Sequence, residues 1–147
     1  DFDKTLSPKD MQEYSFIPGL GMEPDAYQLE NPELLHPYVS AMLAARDLGV
    51  TDGAVLTAIR RHMCGAPDMT VLDAVVNLAD YIEPTRSYPD VDEIRRLAQG
   101  SLFDTLCEAL GRTMILTIRQ GSVLHPDTLV TWNALILRSK AEKGEEK

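Results

Sequence analysis

A chain of 147 residues with 44% hydrophobic content can bury one sizeable core, so a single domain is the starting expectation. Its 14 Lys and Arg stand against 23 Asp and Glu, a formal net charge of -9, which argues against nucleic acid as a partner. A small anionic substrate stays open, because a bound cation or a few basic side chains reverse the potential inside one cleft.

No apolar run approaches the ~18 residues of a membrane span, so no membrane partner is expected. Two cysteines, Cys64 and Cys107, stand far apart in no ligand-like spacing, as in a reduced compartment, and a cytoplasmic location follows. The opening "DFDKTLSPKD" has neither the apolar heart of a signal peptide nor an initiator Met, and a start inside a longer protein is expected.

Ser7-Pro8-Lys9-Asp10 carries a capping Ser and a first-turn Pro, predicting a short helix over Pro8–Tyr14. Phe16 to Asn31 reads as a Gly- and Pro-rich connector with a brief helical chance at Pro24–Leu29. The next helix should run from Pro37 to Leu48, with His36 as its N-cap, Val39, Met42 and Leu43 on one face, and Gly49 as the stop. Thr51 should cap a helix whose stripe is Val55, Ala58, Ile59 and His62, with Gly65 ending it.

Thr70-Val71-Leu72-Asp73 is a capping box, opening a helix to Ile82 that Pro84 stops. A further helix is expected over Asp90–Gln99. Ser101 to Asp104 repeats the box before a stripe of Leu106, Cys107, Leu110, Met114 and Ile118, closed by Gly121. Pro126 should open the last helix, to about Arg138, with Leu129, Trp132 and Ile136 inward. No segment alternates as a strand would, so the expected fold is all-α, one bundle of short helices over residues 1–140 with a charged tail at 141–147.

His62 projects from an apolar stripe, so it should point inward, either as a core histidine satisfied by a backbone carbonyl or as a functional group. Asp80 lies at the boundary of the apolar and polar faces of its helix, where a solvated carboxylate is the ordinary reading. His36 and His125 each precede a helix-opening proline, where simple capping is the ordinary reading and an anion bound at a helix N-terminus the alternative. Arg86 is the best-placed cation for an anionic ligand. No Walker loop, nucleophile elbow or zinc pattern is present, so residue spacing alone reaches only a helical protein with a His/Asp site.

Four stretches in order, "ENPELLH" at Glu30–His36, "AIRRHMCGAPDM" at Ala58–Met69, "LADYIEPTRSYPDVDEIRRLA" at Leu78–Ala98 and "HPDTLVTWN" at His125–Asn133, closely resemble motifs of the YqeK family. These are bacterial HD-domain hydrolases of diadenosine tetraphosphate, and the resemblance implies an HD-type helical bundle that lacks its first helices. The opening "DFDK" matches the family's H-D-x-A-K, with Asp1 as the aspartate, Lys4 as the lysine and Asp3 in place of a small residue. The paired histidine and a further metal-binding histidine would precede Asp1. His36-Pro37 departs from the family's usual His-Gly, and Met63 stands where Thr often follows the histidine.

The resemblance implies Asp1 and Asp80 as metal ligands in a hard N/O shell suited to iron or manganese. It implies His36, His62 and Lys4 as catalytic residues, the two histidines contacting substrate phosphates or a second metal. Lys4, His36, His62, Met63 and Arg86, with Val123, Leu124, His125, Pro126, Asp127 and Thr128, would line the nucleotide site, which takes a dinucleoside polyphosphate or ADP. The implied reaction is hydrolysis at the middle of the polyphosphate bridge to two ADP, a metal-activated hydroxide attacking phosphorus. Another HD phosphohydrolase of a nucleotide or cyclic dinucleotide, or a non-catalytic helical binding module, are the alternatives. Self-association as a homodimer is left open, and weak metal binding and activity are expected unless the preceding histidines are supplied.

Overall fold

The computed structural model describes residues 34–144, so the helices expected at Pro8–Tyr14 and Pro24–Leu29, with Asp1, Asp3 and Lys4, lie outside the described residues. Six helices and no strand occur among the described residues. They fall into two units that divide between Met63 and Cys64.

The first unit holds α1 (His36–Asp47) and α2 (Gly53–Arg61), which pack on each other. Leu35, not His36, is the N-cap of α1, and no side chain caps it. His36 is instead the first helical residue and Pro37 the second, where a missing N–H is harmless because no acceptor precedes it. The helix ends at Leu48, and Gly49 at φ +68° turns the chain out, as expected. Ala41, Met42 and Ala44 are buried, and Ala58 is buried on α2. The cap of α2 is Asp52, whose carboxylate accepts from the Ala54 and Val55 N–H groups, so the expected Thr51 is corrected by one position. Both residue types cap well, and the extended backbone at Asp52, φ -71° and ψ 114°, decides which one does.

The second unit is built from α3 (Val71–Ile82), α4 (Val91–Leu97), α5 (Leu102–Arg119) and α6 (Pro126–Glu142). The eighteen-residue α5 is its axis, touching α3, α4 and α6. Ile94 of α4 and Leu106 of α5 are fully buried, with Ala74, Leu78, Ala109, Leu110 and Leu135 around them. The capping box forms at α3: the Asp73 N–H donates to Thr70 Oγ1 at 3.2 Å and the Thr70 N–H to Asp73 Oδ2 at 2.9 Å. Asp73 is 1% exposed, so its carboxylate is buried with those partners in place. Thr70→Ala removes one of these partners, and urea unfolding should register a loss of about 1 kcal/mol; an unchanged midpoint would show that the box contributes nothing.

At α5 the Ser101 hydroxyl accepts from the Asp104 N–H, and Asp104 itself takes a 2.7 Å hydrogen bond from Ser139 on α6. Helix α4 is shorter than expected, because Asp90 adopts left-handed backbone at φ 65° and Ala98 ends it. Ile118, expected inward, is 66% exposed on the last turn of α5. Helix α6 runs on to Glu142, into the expected tail. Its buried face carries Thr128, Thr131 and Leu135, with Trp132 and Ile136 against the core, while Leu129 is 47% exposed. The threonines are accommodated because hydroxyl groups can bond backbone oxygens, as Thr131 Oγ1 does to the Cys64 carbonyl at 3.2 Å. No helix among the described residues is long and apolar enough to cross a membrane.

Candidate functional site

The first unit brings together two of the expected residues. His36, in the first turn of α1, and His62, the C-cap of α2, meet with their Nε2 atoms 3.1 Å apart and their rings 5.0 Å apart at 63°. On the other side of its ring, His62 Nδ1 lies 2.6 Å from the Ile59 carbonyl oxygen. A carbonyl only accepts, so Nδ1 carries the proton and donates. In neutral His62 the Nε2 lone pair then faces His36, and His36 Nε2–H is the donor across the 3.1 Å gap. His62 is half-buried, and the backbone carbonyl partner expected for it is present. Its pairing with a histidine 26 residues away is the addition.

This arrangement fits a transition metal as well as a shared proton. Metal-bearing imidazoles characteristically donate the remote ring N–H to a backbone carbonyl, which fixes the tautomer and leaves the other nitrogen as ligand. His62 is already in that state, through the Ile59 carbonyl. Among the described residues no group of three or more His, Cys, Asp or Glu gathers around one point, so the pair offers two ligands and not a full shell.

The second unit holds the other expected pair. Asp80, on the last turn of α3, accepts a 2.9 Å hydrogen bond from Arg86 Nη2, and Arg86 Nε also reaches the Asp80 carbonyl oxygen at 3.4 Å. Burial opposes the charge on Arg86, but the hydrogen bond and charge of Asp80 outweigh it, and the guanidinium pKa lies above its ordinary value. Arg86 also lies 5.9 Å from the centre of the Tyr88 ring, whose phenol burial pushes upward in pKa. Both members of the ion pair are partly solvated, with 38% of the Arg86 and 48% of the Asp80 side chain exposed, so both remain open to a ligand.

Arg95, which the sequence offered no reason to single out, holds the loop carrying Arg86. Its guanidinium donates to the carbonyl oxygens of Ile82 at 3.1 Å, Glu83 at 2.8 Å and Arg86 at 3.0 Å, and to Asp92 at 2.7 Å. The three carbonyls are met by two different nitrogens of the planar fork, Nε and Nη2, a spread that the single nitrogen of an ammonium does not match. Arg95→Lys should therefore lower stability by about 1–2 kcal/mol in urea unfolding; a midpoint equal to wild type would show that the loop stands without it. In sequence, one of two adjacent arginines looks like part of a solvated face, and only the non-local carbonyls reveal its task.

The segment 123–128 divides. His125 is the N-cap of α6 and 4% exposed, with Nδ1 accepting the Asp127 N–H at 3.1 Å. Because Nδ1 accepts, it holds no proton, and the 3.8 Å approach of the Asp127 carboxylate to the same atom is not an ion pair in this state. The capping reading of His125 is thereby realised, whereas His36 does not cap. Thr128 is buried, Leu124 half-buried, and Val123, Pro126 and Asp127 are exposed, as is Met63 in the first unit. Cys64 and Cys107 are not joined in a disulfide.

No family model matches the chain. Among curated proteins, it is 44% identical over 106 residues to a symmetrical bis(5'-nucleosyl)-tetraphosphatase of Bacillus subtilis, covering 72% of this chain and 57% of that protein. A protein of the same name from Halalkalibacterium halodurans is 38% identical over 108 residues, covering 74% of this chain and 58% of the relative. The chain thus spans less than two thirds of the length of either. Among solved structures, a predicted HD superfamily hydrolase involved in NAD metabolism from Clostridium acetobutylicum superposes with a TM-score of 0.79 at 35% identity, covering 84% of this chain and 66% of that one. With identity at this level and the same helical fold, the chain belongs to the YqeK family of HD-domain hydrolases.

Proposed function

We propose that the protein hydrolyses a dinucleoside polyphosphate, diadenosine tetraphosphate first, at the middle of its bridge to give two ADP. The His36–His62 pair carries this reading, because two imidazole Nε2 atoms converge while a backbone carbonyl fixes one ring, in a chain 44% identical to a protein named for that reaction. The histidine pair is assigned to the substrate phosphates or a second metal, and Asp1 and Asp80 to a divalent metal, iron or manganese by donor type. When bound, it would supply Lewis acidity toward the phosphoryl oxygens and acidify a water. Arg86 and Lys4 offset the negative charge that builds on those oxygens, the largest contribution in phosphoryl transfer. His36, with its Nε2–H, and His62, with its Nε2 lone pair, bind phosphate or pass a proton between them. Met63 and the segment 123–128 are assigned to the nucleotide, with His125 acting by shaping the start of α6. Cys64 and Cys107, which form no disulfide with each other, suit a cytoplasmic setting.

The test is chromatography of products from the full-length protein, supplied with a panel of divalent metals and offered diadenosine tetraphosphate, a nucleoside triphosphate and a cyclic dinucleotide. The dinucleoside polyphosphate should be consumed fastest. Preference for the cyclic dinucleotide, or no turnover with any metal, would defeat the reading.

A further inference from the structure

A groove of about 220 Å³ opens along α5 in the second unit, and none of the residues assigned above lines it. Tyr81, on the last turn of α3, and Tyr88 form one wall, their ring centres 5.1 Å apart and tilted by 47°. Ile115 and Leu116 of α5 also line it, and Arg112 and Arg119 stand two turns apart on the same helix. Arg112 is committed, to Glu108 at 2.8 Å and Asp90 at 3.8 Å, so its charge is locally balanced. Arg119 is exposed at the rim. The groove is therefore apolar and aromatic inside, nearly neutral along its length, and cationic at one end.

That chemistry selects a flat, neutral ring system joined to something anionic. The volume decides the size: drug-sized ligands occupy roughly 300–1,000 Å³, so this groove takes one ring system with its sugar and not a whole dinucleotide or a helix. Tyr88 supplies the link to the phosphate-binding candidates, because Arg86 lies 5.9 Å from the same ring that lines the groove. A base stacked on Tyr88 would share that ring with Arg86.

We propose that this groove docks the base and ribose of one nucleoside of the substrate, the phosphate chain running from it toward Arg86. The inference rests on the dinucleoside polyphosphate reading above. It gives that reaction a means of measuring its substrate: an equal split of a symmetrical bridge requires an anchor at a fixed distance from the bond cut, and an aromatic groove beside Arg86 supplies one.

Two measurements on the full-length protein test it. First, adenosine is titrated while the Ile115 and Leu116 methyl resonances are followed. Ring current from a docked base should move both, and unmoved methyls up to the solubility of adenosine would overturn the proposal whether or not the protein hydrolyses anything. Second, Ile115→Trp fills the groove from a position 51% exposed, where a larger side chain is tolerated by the fold. KM for diadenosine tetraphosphate should rise about tenfold at constant kcat, while KM for adenosine 5'-tetraphosphate, with one base, stays put. An equal change for both substrates, or no change for either, would overturn the proposal. Shifted methyls in a protein that hydrolyses neither compound would leave adenosine docking standing and defeat the reaction assigned above.

Discussion

His62→Asn should lower hydrolysis by roughly 10²–10⁴-fold, the range spanned by loss of a positioned acid–base group, while leaving the unfolding midpoint within a few degrees of wild type. The choice of Asn follows from the geometry. Its side-chain amide can stand where His62 Nδ1 donates to the Ile59 carbonyl, 2.6 Å away, so the local turn keeps its hydrogen bond. It has no atom where Nε2 meets His36 at 3.1 Å, so whatever that pair does is lost. His62→Gln places an amide nearer the Nε2 position and should recover part of the rate if the pair binds phosphate, and none if it must hold a metal or carry a proton. Full activity in the Asn variant would remove His62 from the chemistry and leave it as a helix-ending residue.

Gly65→Ala should cost about 3 kcal/mol, lowering the unfolding midpoint by roughly 10 °C. Two costs add. Gly65 has φ +75°, where a Cβ carries roughly 1–2 kcal/mol of backbone strain. A Cβ built there would also lie 2.6 Å from Thr131 Cγ2 and 2.9 Å from Thr131 Oγ1, and overpacking of that kind costs typically 1–3 kcal/mol. Thr131 cannot swing away easily, being fully buried with its hydroxyl on the Cys64 carbonyl. The two causes separate in a cycle with Thr131→Ala: the steric part should vanish in the double variant, and the backbone part should remain. Strict additivity would show that strain alone disfavours alanine at Gly65.

What the sequence reveals here depends on how local the deciding interaction is. The capping box at Thr70 and Asp73 and the glycine stops at Gly49 and Gly121 are written within a few residues, and each appears where expected. The hydrogen bond of His62 to the Ile59 carbonyl is equally local, three residues back along the same stripe. The pairing of His62 with His36 is not, since 26 residues intervene and only the packing of α1 on α2 joins them. The buried face of α6 departs from the pattern in part for a related reason: Trp132 and Ile136 pack against the core as expected, but Leu129 is exposed and Thr128 and Thr131, polar in any pattern, are buried, the Cys64 carbonyl making the interior acceptable to Thr131. Arg95 and the tyrosine groove are non-local throughout. Arg95 binds carbonyls 9 to 13 residues behind it, and the groove joins the end of α3 to the middle of α5.

The fold and family rest on the helical match to an HD superfamily hydrolase and on relatives 38% and 44% identical. The proposed reaction rests on what the two histidines and, separately, the Asp80–Arg86 pair can do with phosphate. The most direct test runs diadenosine tetraphosphate hydrolysis by the full-length protein in water enriched in oxygen-18, with mass analysis of the products. One ADP in each cleaved pair should carry a single heavy oxygen in its terminal phosphoryl group and the other none. AMP with ATP, or ADP bearing no label, would contradict the account.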